Sequence, residues 1–206
     1  MKSATVHVVD DDDAVRSSLK LLLKSVGLPT VVYASAQEFL SVWQPEQAGC
    51  LVLDVRMPGM SGLELQMELN ARGAIIPVIF ISGHGDIPMA VEAIQHGAFD
   101  FLQKPFRDQD LIDRVQRALA ADGESRKLLS QRETLRARFD SLTPREQEVL
   151  VLVTQGKANK VMAGDLGVSQ RTVEIHRARV MEKMGANSLA QLVRMMLELE
   201  SDSRPA

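Results

Sequence analysis

A run of four apolar residues ending in a carboxylate, Cys50-Leu51-Val52-Leu53-Asp54, constrains this chain more than any other stretch. Val55-Arg56-Met57-Pro58-Gly59 follows, where Pro and Gly break regular structure. A short, wholly apolar run bounded by turn signals reads as a strand buried on both faces, as in a parallel sheet. Open α/β sheets carry their sites at the carboxyl ends of such strands, and Asp54 stands at that end. A carboxylate that merely caps a strand and points to water is the plain alternative, so the neighbouring strands have to decide between the two.

Those strands repeat the pattern. Thr5–Val9 is β-rich and ends in Asp10-Asp11-Asp12-Asp13. Val15, Leu19, Leu22, Leu23 and Val26 then fall at helical spacing, with Asp12 or Asp13 to cap the helix and Gly27 to end it. Thr30–Tyr33 is a second strand and Ala36–Trp43 a short helix. After Asp54, Ser61 and Glu64 have the spacing of a capping box ahead of Leu63, Leu65 and Leu69. Val78–Ile81 is a fourth strand, ending in Ser82-Gly83-His84-Gly85, and a helix over Ile87–His96 stops at Gly97. Ala98–Leu102 is a fifth strand running into Lys104-Pro105-Phe106, and a helix starts near Asp108 with Leu111, Ile112, Val115 and Leu119 on one side. Strand and helix alternate five times, which predicts a five-stranded, doubly wound parallel sheet with helices on both faces.

In such a sheet Asp10/Asp11, Asp54, Ser82 and Lys104 all meet at one edge. Carboxylates brought together repel and need a cation. An all-oxygen site with waters suits Mg²⁺, which also binds phosphate. A lysine and a hydroxyl beside it suit phosphoryl oxygens. The set describes a carboxylate nucleophile that accepts a phosphoryl group with metal help.

Val-Val-Asp10-Asp11, Leu-Asp54 with Met57-Pro58-Gly59, Ser82-Gly83 and Lys104-Pro105-Phe106 make residues 1–120 resemble the receiver domain of bacterial two-component response regulators. The resemblance implies that Asp54 takes phosphate from a sensor histidine kinase. It implies Mg²⁺ on Asp11, Asp54 and the Arg56 carbonyl, with Asp10 acting largely through water. It implies that Ser82 and Lys104 contact the phosphoryl group, that Lys104-Pro105 is cis, and that Phe101 is the switch aromatic, here without a hydroxyl. Arg56 and His84 lie two residues after Asp54 and Ser82, where bulky side chains shield the attacking water and slow dephosphorylation. When Phe101 turns inward, the surface of Ile87–His96 and Phe99–Leu102 changes shape. Val91 and Gln95, four apart on one face of that helix, are the expected contacts to a second copy. A haloacid-dehalogenase-type phosphatase could also use Asp10, Asp12, Ser82 and Lys104, but it leaves Asp54 idle and needs a longer chain with a cap.

Charge divides the chain. Residues 1–120 hold ten Lys/Arg and fifteen Asp/Glu, whereas residues 121–206 hold fourteen and twelve. An acidic half joined to a mildly basic one predicts separate jobs. Cys50 is the only cysteine, so no internal disulfide forms and a reducing compartment is expected. No apolar run is long enough to span a bilayer and no signal-peptide h-region opens the chain, so the expected location is the cytoplasm, with no membrane partner.

Residues 121–140 read as a linker, helical in its Lys-, Arg-, Glu- and Gln-rich part, with Ala121-Asp122-Gly123-Glu124-Ser125 loosening the chain. Leu128, Leu135 and Leu142 fall seven apart, but two heptads are too few for a coiled coil, and a solvated linker helix is expected over a helical seam. From residue 141 four helices are predicted. Thr143 caps the first, with Pro144 at its first position and Glu146 completing a capping box; Val149, Leu150, Leu152 and Val153 form its apolar face. Asn159–Leu166 is short and stopped by Gly167, Ser169 caps Gln170–Met184, and Ser188 caps a last helix to about Leu199. Short helix, glycine turn and longer helix is the helix-turn-helix plan. On Gln170–Met184, Val173, Val180 and Met184 face the core. Arg171, Glu174, Ile175, Ala178 and Glu182 lie opposite, flanked by Thr172, Arg179 and Lys183. Such a face suits base edges, with Lys160, Arg179 and Lys183 suited to phosphates.

Leu142-Thr143-Pro144-Arg145-Glu146, Gly156, Asn159-Lys160, Ala163, Leu166, Thr172-Val173-Glu174, His176 and Lys183-Met184-Gly185 make residues 141–199 resemble the LuxR-type helix-turn-helix. Met162 and Gly164 depart from its usual residues and are expected to loosen the short helix. Receiver plus this domain resembles the NarL/FixJ class, toward FixJ. That resemblance implies a transcription regulator, not an enzyme beyond self-phosphorylation and self-dephosphorylation. It is phosphorylated by a kinase, dimerises, and binds promoter DNA, with RNA polymerase a further candidate partner. A regulator that binds DNA without phosphorylation keeps the fold but leaves the acidic pocket unused.

Overall fold

The computed structural model describes residues 4–83 and 87–201. The chain forms two compact units, Met1–Arg126 and Lys127–Ala206.

The first unit runs β1 (Thr5–Val9), α1 (Asp13–Ser25), β2 (Thr30–Tyr33), α2 (Ala36–Val42), β3 (Gly49–Asp54), α3 (Gly62–Ala71), β4 (Val78–Ser82), α4 (Ile87–Gln95), β5 (Asp100–Gln103) and the first part of α5 (Asp108–Asp140). Its five strands are parallel, in the order β2-β1-β3-β4-β5. All six residues of β3 are buried, as its apolar run predicts. Side chains alternate between two cores. Val6, Val8, Cys50, Val52, Ile79 and Ile81 pack with Leu19 and Leu23 of α1 and Leu111 and Val115 of α5. Leu51, Leu53, Val78 and Phe80 pack on the other face with Phe39 of α2, Leu65 and Leu69 of α3 and Ala93 of α4. Register pairs Val9 with Leu53, Asp54 with Ile81 and Ser82 with Gln103, so the strand tips align along one edge.

Caps set the helix starts. The Asp12 carboxylate accepts from the amides of Ala14 and Val15, so Asp12 rather than Asp13 caps α1. Ser61 and Glu64 form a reciprocal capping box at α3. Several boundaries shift by one or two residues from the predicted ones, two of them for a visible reason. Val26 falls outside α1 and is 42 % exposed, because Gly27, at φ 77°, already turns the chain. β5 begins at Asp100 and not at Ala98, because the Ala98 amide is drawn back to the Ala93 carbonyl, closing α4.

The larger difference is the connector. Residues 121–125 do not loosen the chain; α5 runs unbroken through Gly123 to Asp140. Asp122 explains why. It is buried, accepts from the Gly49 amide at 2.9 Å, and pairs with Arg126 Nε at 2.9 Å. Arg126 also donates to the carbonyls of Pro45 and Gln47 at 3.0 and 2.5 Å. Gly49 must be glycine here, since a Cβ would lie 2.0 Å from the Thr5 carbonyl oxygen. The heptad seam does not form: Leu128 is exposed, whereas Leu135 and Leu142 join the core of the second unit.

That unit contains the end of α5, then α6 (Pro144–Thr154), α7 (Asn159–Leu166), α8 (Gln170–Met184) and α9 (Leu189–Ser201). Thr143 and Glu146 close a capping box at α6, and Gly167 and Gly185 end α7 and α8 in left-handed conformations. Val149, Leu150, Val153, Met162, Val173, Val180, Met184 and Leu192 form the core. Met162 is fully buried there, so it anchors α7 instead of loosening it. At ~1.5–3 kcal/mol for each large apolar side chain removed from water, these residues hold the unit together.

Candidate functional site

Asp10 follows the last residue of β1, Asp54 ends β3, Ser82 ends β4, and Lys104 follows β5. Asp10 is 1 % exposed and Asp54 8 %. Lys104 Nζ donates to Asp10 Oδ2 and to Asp54 Oδ1, each at 2.9 Å. The other oxygen of each carboxylate accepts a backbone amide, Asp12 N at 2.9 Å on Asp10 and Arg56 N at 2.8 Å on Asp54. The Lys104 amide donates to the Ser82 carbonyl at 2.8 Å, which keeps these two residues side by side. Ser82 is buried, Asp11 is exposed, and the Lys104-Pro105 peptide is cis.

Two carboxylates share one ammonium, so the pocket carries excess negative charge. Burial raises the Asp10 pKa above the ordinary carboxylate value, against the opposing pull of Lys104 and the Asp12 amide. Burial also opposes charge on Lys104, but its hydrogen bonds to Asp54 and Asp10 outweigh that and raise its pKa. Among the described residues no group of three or more His, Cys, Asp or Glu forms a metal cage. Mg²⁺ does not require one, because it keeps several waters and binds through one or two carboxylates. Hard oxygen donors, surplus negative charge and water-facing Asp11 fit that ion.

Phe101 is half-buried and packs against the core on the α2–α4 face of the sheet. Val91 and Gln95 are exposed on α4. Ile94, on the same helix, is 49 % exposed, and Phe99, just before β5, is 36 % exposed; sequence reasoning missed Ile94, although it lies three residues from Val91. His84 falls outside the described residues.

In the second unit Val173, Val180 and Met184 are fully buried, which turns the opposite face of α8 outward. Arg171, Glu174, Ile175, Ala178 and Arg179 are exposed on it, as is Lys160 on α7. Thr172 is half-buried, its hydroxyl 2.8 Å from Ser169 Oγ. Lys183, expected to suit a phosphate, is engaged within the unit. Its ammonium donates to Glu146 Oε2 at 2.7 Å and to the Ser141 carbonyl at 3.1 Å. Hydrogen bonds from Lys183 and the Thr143 amide hold the Glu146 pKa down to about 2. Arg177, to which sequence reasoning gave no role, and Arg145 of α6 also bond within the unit: Arg177 to Asn159, Arg145 to Glu148 and the Leu166 carbonyl.

A phosphoacceptor-type pocket on a doubly wound sheet, followed by a helix-turn-helix with an outward recognition face, defines a signal-controlled DNA-binding regulator. Residues 6–116 match the family described as response regulator receiver domain, and residues 140–196 the family of bacterial regulatory proteins of the luxR type. The transcriptional regulatory protein FixJ of Azorhizobium caulinodans is 52 % identical over 196 residues, covering 95 % of this chain and 93 % of that protein. The C4-dicarboxylate transport transcriptional regulatory protein DctR of Rhodobacter capsulatus is 46 % identical over 195 residues, covering 94 % and 99 %. Among solved structures, the response regulator StyR superposes with a TM-score of 0.90 at 47 % identity, covering 95 % of this chain and 99 % of that one. Full-length FixJ from B. japonicum gives 0.60 at 40 % identity, covering 98 % and 99 %. The chain belongs to the two-component response regulators, with a receiver domain and a LuxR-type DNA-binding domain. Among the described residues no helix is long and apolar enough to cross a membrane.

Proposed function

We propose that this chain is a cytoplasmic transcription regulator switched by phosphorylation of Asp54. The observation that carries the reading is the pairing of Asp10 and Asp54 through one lysine at the strand tips. An Asp54 carboxylate oxygen attacks the phosphorus of a kinase phosphohistidine. The P–N bond breaks, an acyl phosphate forms, and the histidine nitrogen leaves. Small acyl phosphates serve as donors in the same way. Asp11, Asp54 and the Arg56 carbonyl would hold Mg²⁺, with Asp10 acting through water. The ion supplies positive charge against the phosphoryl oxygens. Lys104 has three N–H donors and spends two on Asp10 and Asp54, so one remains for a phosphoryl oxygen. The Ser82 hydroxyl bonds a second.

Movement of Ser82 lets Phe101 turn inward and favours a homodimer through α4, with Val91 and Gln95 in the contact. Residues 1–120 act as the receiver, 121–140 as the helical linker and 141–206 as the promoter-binding domain. In that last part Arg171, Thr172, Glu174, Ile175 and Ala178 face bases, and Lys160 and Arg179 face phosphates. Dimers favour paired half-sites about one helical turn apart, and RNA polymerase is a candidate further partner.

The test is incubation with acetyl phosphate followed by intact-mass measurement. One phosphoryl group should be gained with Mg²⁺ present, and none after Asp54→Asn or with Mg²⁺ chelated. Labelling that survives either change overturns the assignment.

A further inference from the structure

Helix α7 has little of its own to hold it in place. It is eight residues long, contains Gly164, and its N-cap, Ala158, makes no side-chain cap. A helix this short does not persist alone in water. Its middle is anchored by buried Met162. Its two ends are gripped by arginines from the two neighbouring helices. Arg177 of α8 donates from Nη1 to Asn159 Oδ1, 3.0 Å away, at the first residue of α7. Arg145 of α6 donates from Nη2 to the carbonyl of Leu166, the last residue, while its Nη1 holds Glu148 at 2.6 Å. A cation on the last carbonyls of a helix satisfies acceptors that otherwise lack partners and suits the negative end of the dipole.

Asn159 directly precedes Lys160, which is exposed, and Arg177 sits on the same helix as Arg171 and Glu174. One hydrogen bond therefore links the start of α7 to the base-facing helix. We propose that Arg177, acting through Asn159, is a positioning residue for DNA recognition. It fixes the N-terminus of α7 against α8 so that Lys160 and the exposed face of α8 meet one duplex together, while Arg145 secures the far end. The inference rests on the reading that this unit binds DNA. A direct phosphate contact by Arg177 is the competing role. Against it, the guanidinium is engaged with Asn159 and the residue is only half-exposed.

Asn159 is uncharged, so its removal tests position without changing charge. The experiment uses the full chain activated with beryllofluoride and Mg²⁺ and a fluorescein-labelled 20-base-pair duplex of mixed sequence at low salt, read by anisotropy, with far-UV circular dichroism confirming the fold. Asn159→Ala should weaken binding about fivefold, and adding Arg177→Gln should weaken it little further, because both remove one contact. Lys160→Ala should cost several-fold alone and much less in the Asn159→Ala background, an effect that a purely structural role does not produce. If Asn159→Ala melts below the assay temperature, Asn159→Ser replaces it: serine suits a helix start but cannot reach Arg177. Wild-type affinity in folded Asn159→Ala overturns the proposal. So do losses that multiply between Arg177→Gln and Asn159→Ala, which would make Arg177 a direct phosphate contact. A wild-type chain that binds no duplex removes the DNA reading itself, a result distinct from the other two.

Discussion

Replacing Lys183 with alanine separates two roles that a lysine on a recognition helix can have. In this structure its ammonium lies 2.7 Å from a carboxylate oxygen of Glu146, which is 2 % exposed, and 3.1 Å from the Ser141 carbonyl. Glu146 also accepts from the Thr143 amide at 2.8 Å, so the lysine supports the capping box that starts α6. Losing a charged partner from a buried carboxylate costs ~1.5–3 kcal/mol. Lys183 is itself 35 % exposed, so water screens part of the interaction. We expect a loss of about 2 kcal/mol in the second unit, or roughly 10 °C in Tm for a unit of this size. Trp43 is the only tryptophan and belongs to the first unit, so its fluorescence should not change. Far-UV circular dichroism, which sees every helix, should show an earlier transition.

Acidity supplies the sign. Glu146 has its pKa lowered from 4.5 to about 2 by Lys183 and the Thr143 amide, so the stability it contributes is present above about 4.5 and lost as pH falls toward 2. In Lys183→Ala the main cause of that lowering is gone, and the second unit should lose less on acidification over the same window. Unchanged melting at pH 7, together with a salt slope for DNA binding reduced by about one, would refute the reasoning. Lys183 would then be a free phosphate contact, as its place on the helix first predicted.

Three further outcomes are expected. Gly49→Ala should destabilise the first unit by about 3 kcal/mol, since the added Cβ meets the Thr5 carbonyl oxygen at 2.0 Å; urea unfolding followed by Trp43 fluorescence reads this directly, and an unchanged midpoint would show that the strands can part. Arg126→Ala should cost the same unit about 3 kcal/mol by leaving buried Asp122 with the Gly49 amide, whereas Asp122→Asn/Arg126→Ala together should recover part of it. Light scattering should show mass doubling with beryllofluoride, weakened by Ser82→Ala and by Val91→Asp; doubling unaffected by Val91→Asp would place the contact elsewhere.

What could be read before folding was what local periodicity encodes. The run Cys50–Leu53, bounded by turn signals, reads as a doubly buried strand, and all of β3 is buried. Ser61 with Glu64, and Thr143 with Glu146, form their capping boxes because both members lie within one turn. The pocket was legible for a related reason. Parallel strands with crossover helices bring all their carboxyl ends to one edge, so residues far apart in sequence could be placed together by topology alone. The connector was rightly read as helical in its later part, but residues 121–125 were misread because the residues that weaken a helix there, Asp122 and Gly123, are local, whereas their compensation is not. Gly49 and the carbonyls of Pro45 and Gln47 lie more than seventy residues away from Asp122 and Arg126.

The same distinction changes how the charge of the DNA-binding unit should be counted. Residues 141–196 hold eight basic and five acidic side chains, a modest surplus for a polyanion partner. The structure does not spread that surplus evenly. Lys183 pairs with Glu146, Arg145 with Glu148 and Lys157 with Asp165, so three acids are neutralised by internal partners. The acids left are Glu174 and Glu182, both on α8. Lys160, Arg171 and Arg179 remain exposed along the start of α7 and the outer face of α8. The positive field is therefore concentrated on the helix-turn-helix, where Glu174 stands among cations and can accept from a cytosine amine instead of repelling the duplex as a whole. Net charge alone would rank this unit as a weak nucleic-acid binder; the pairing pattern explains how +3 can suffice when it is gathered on one face.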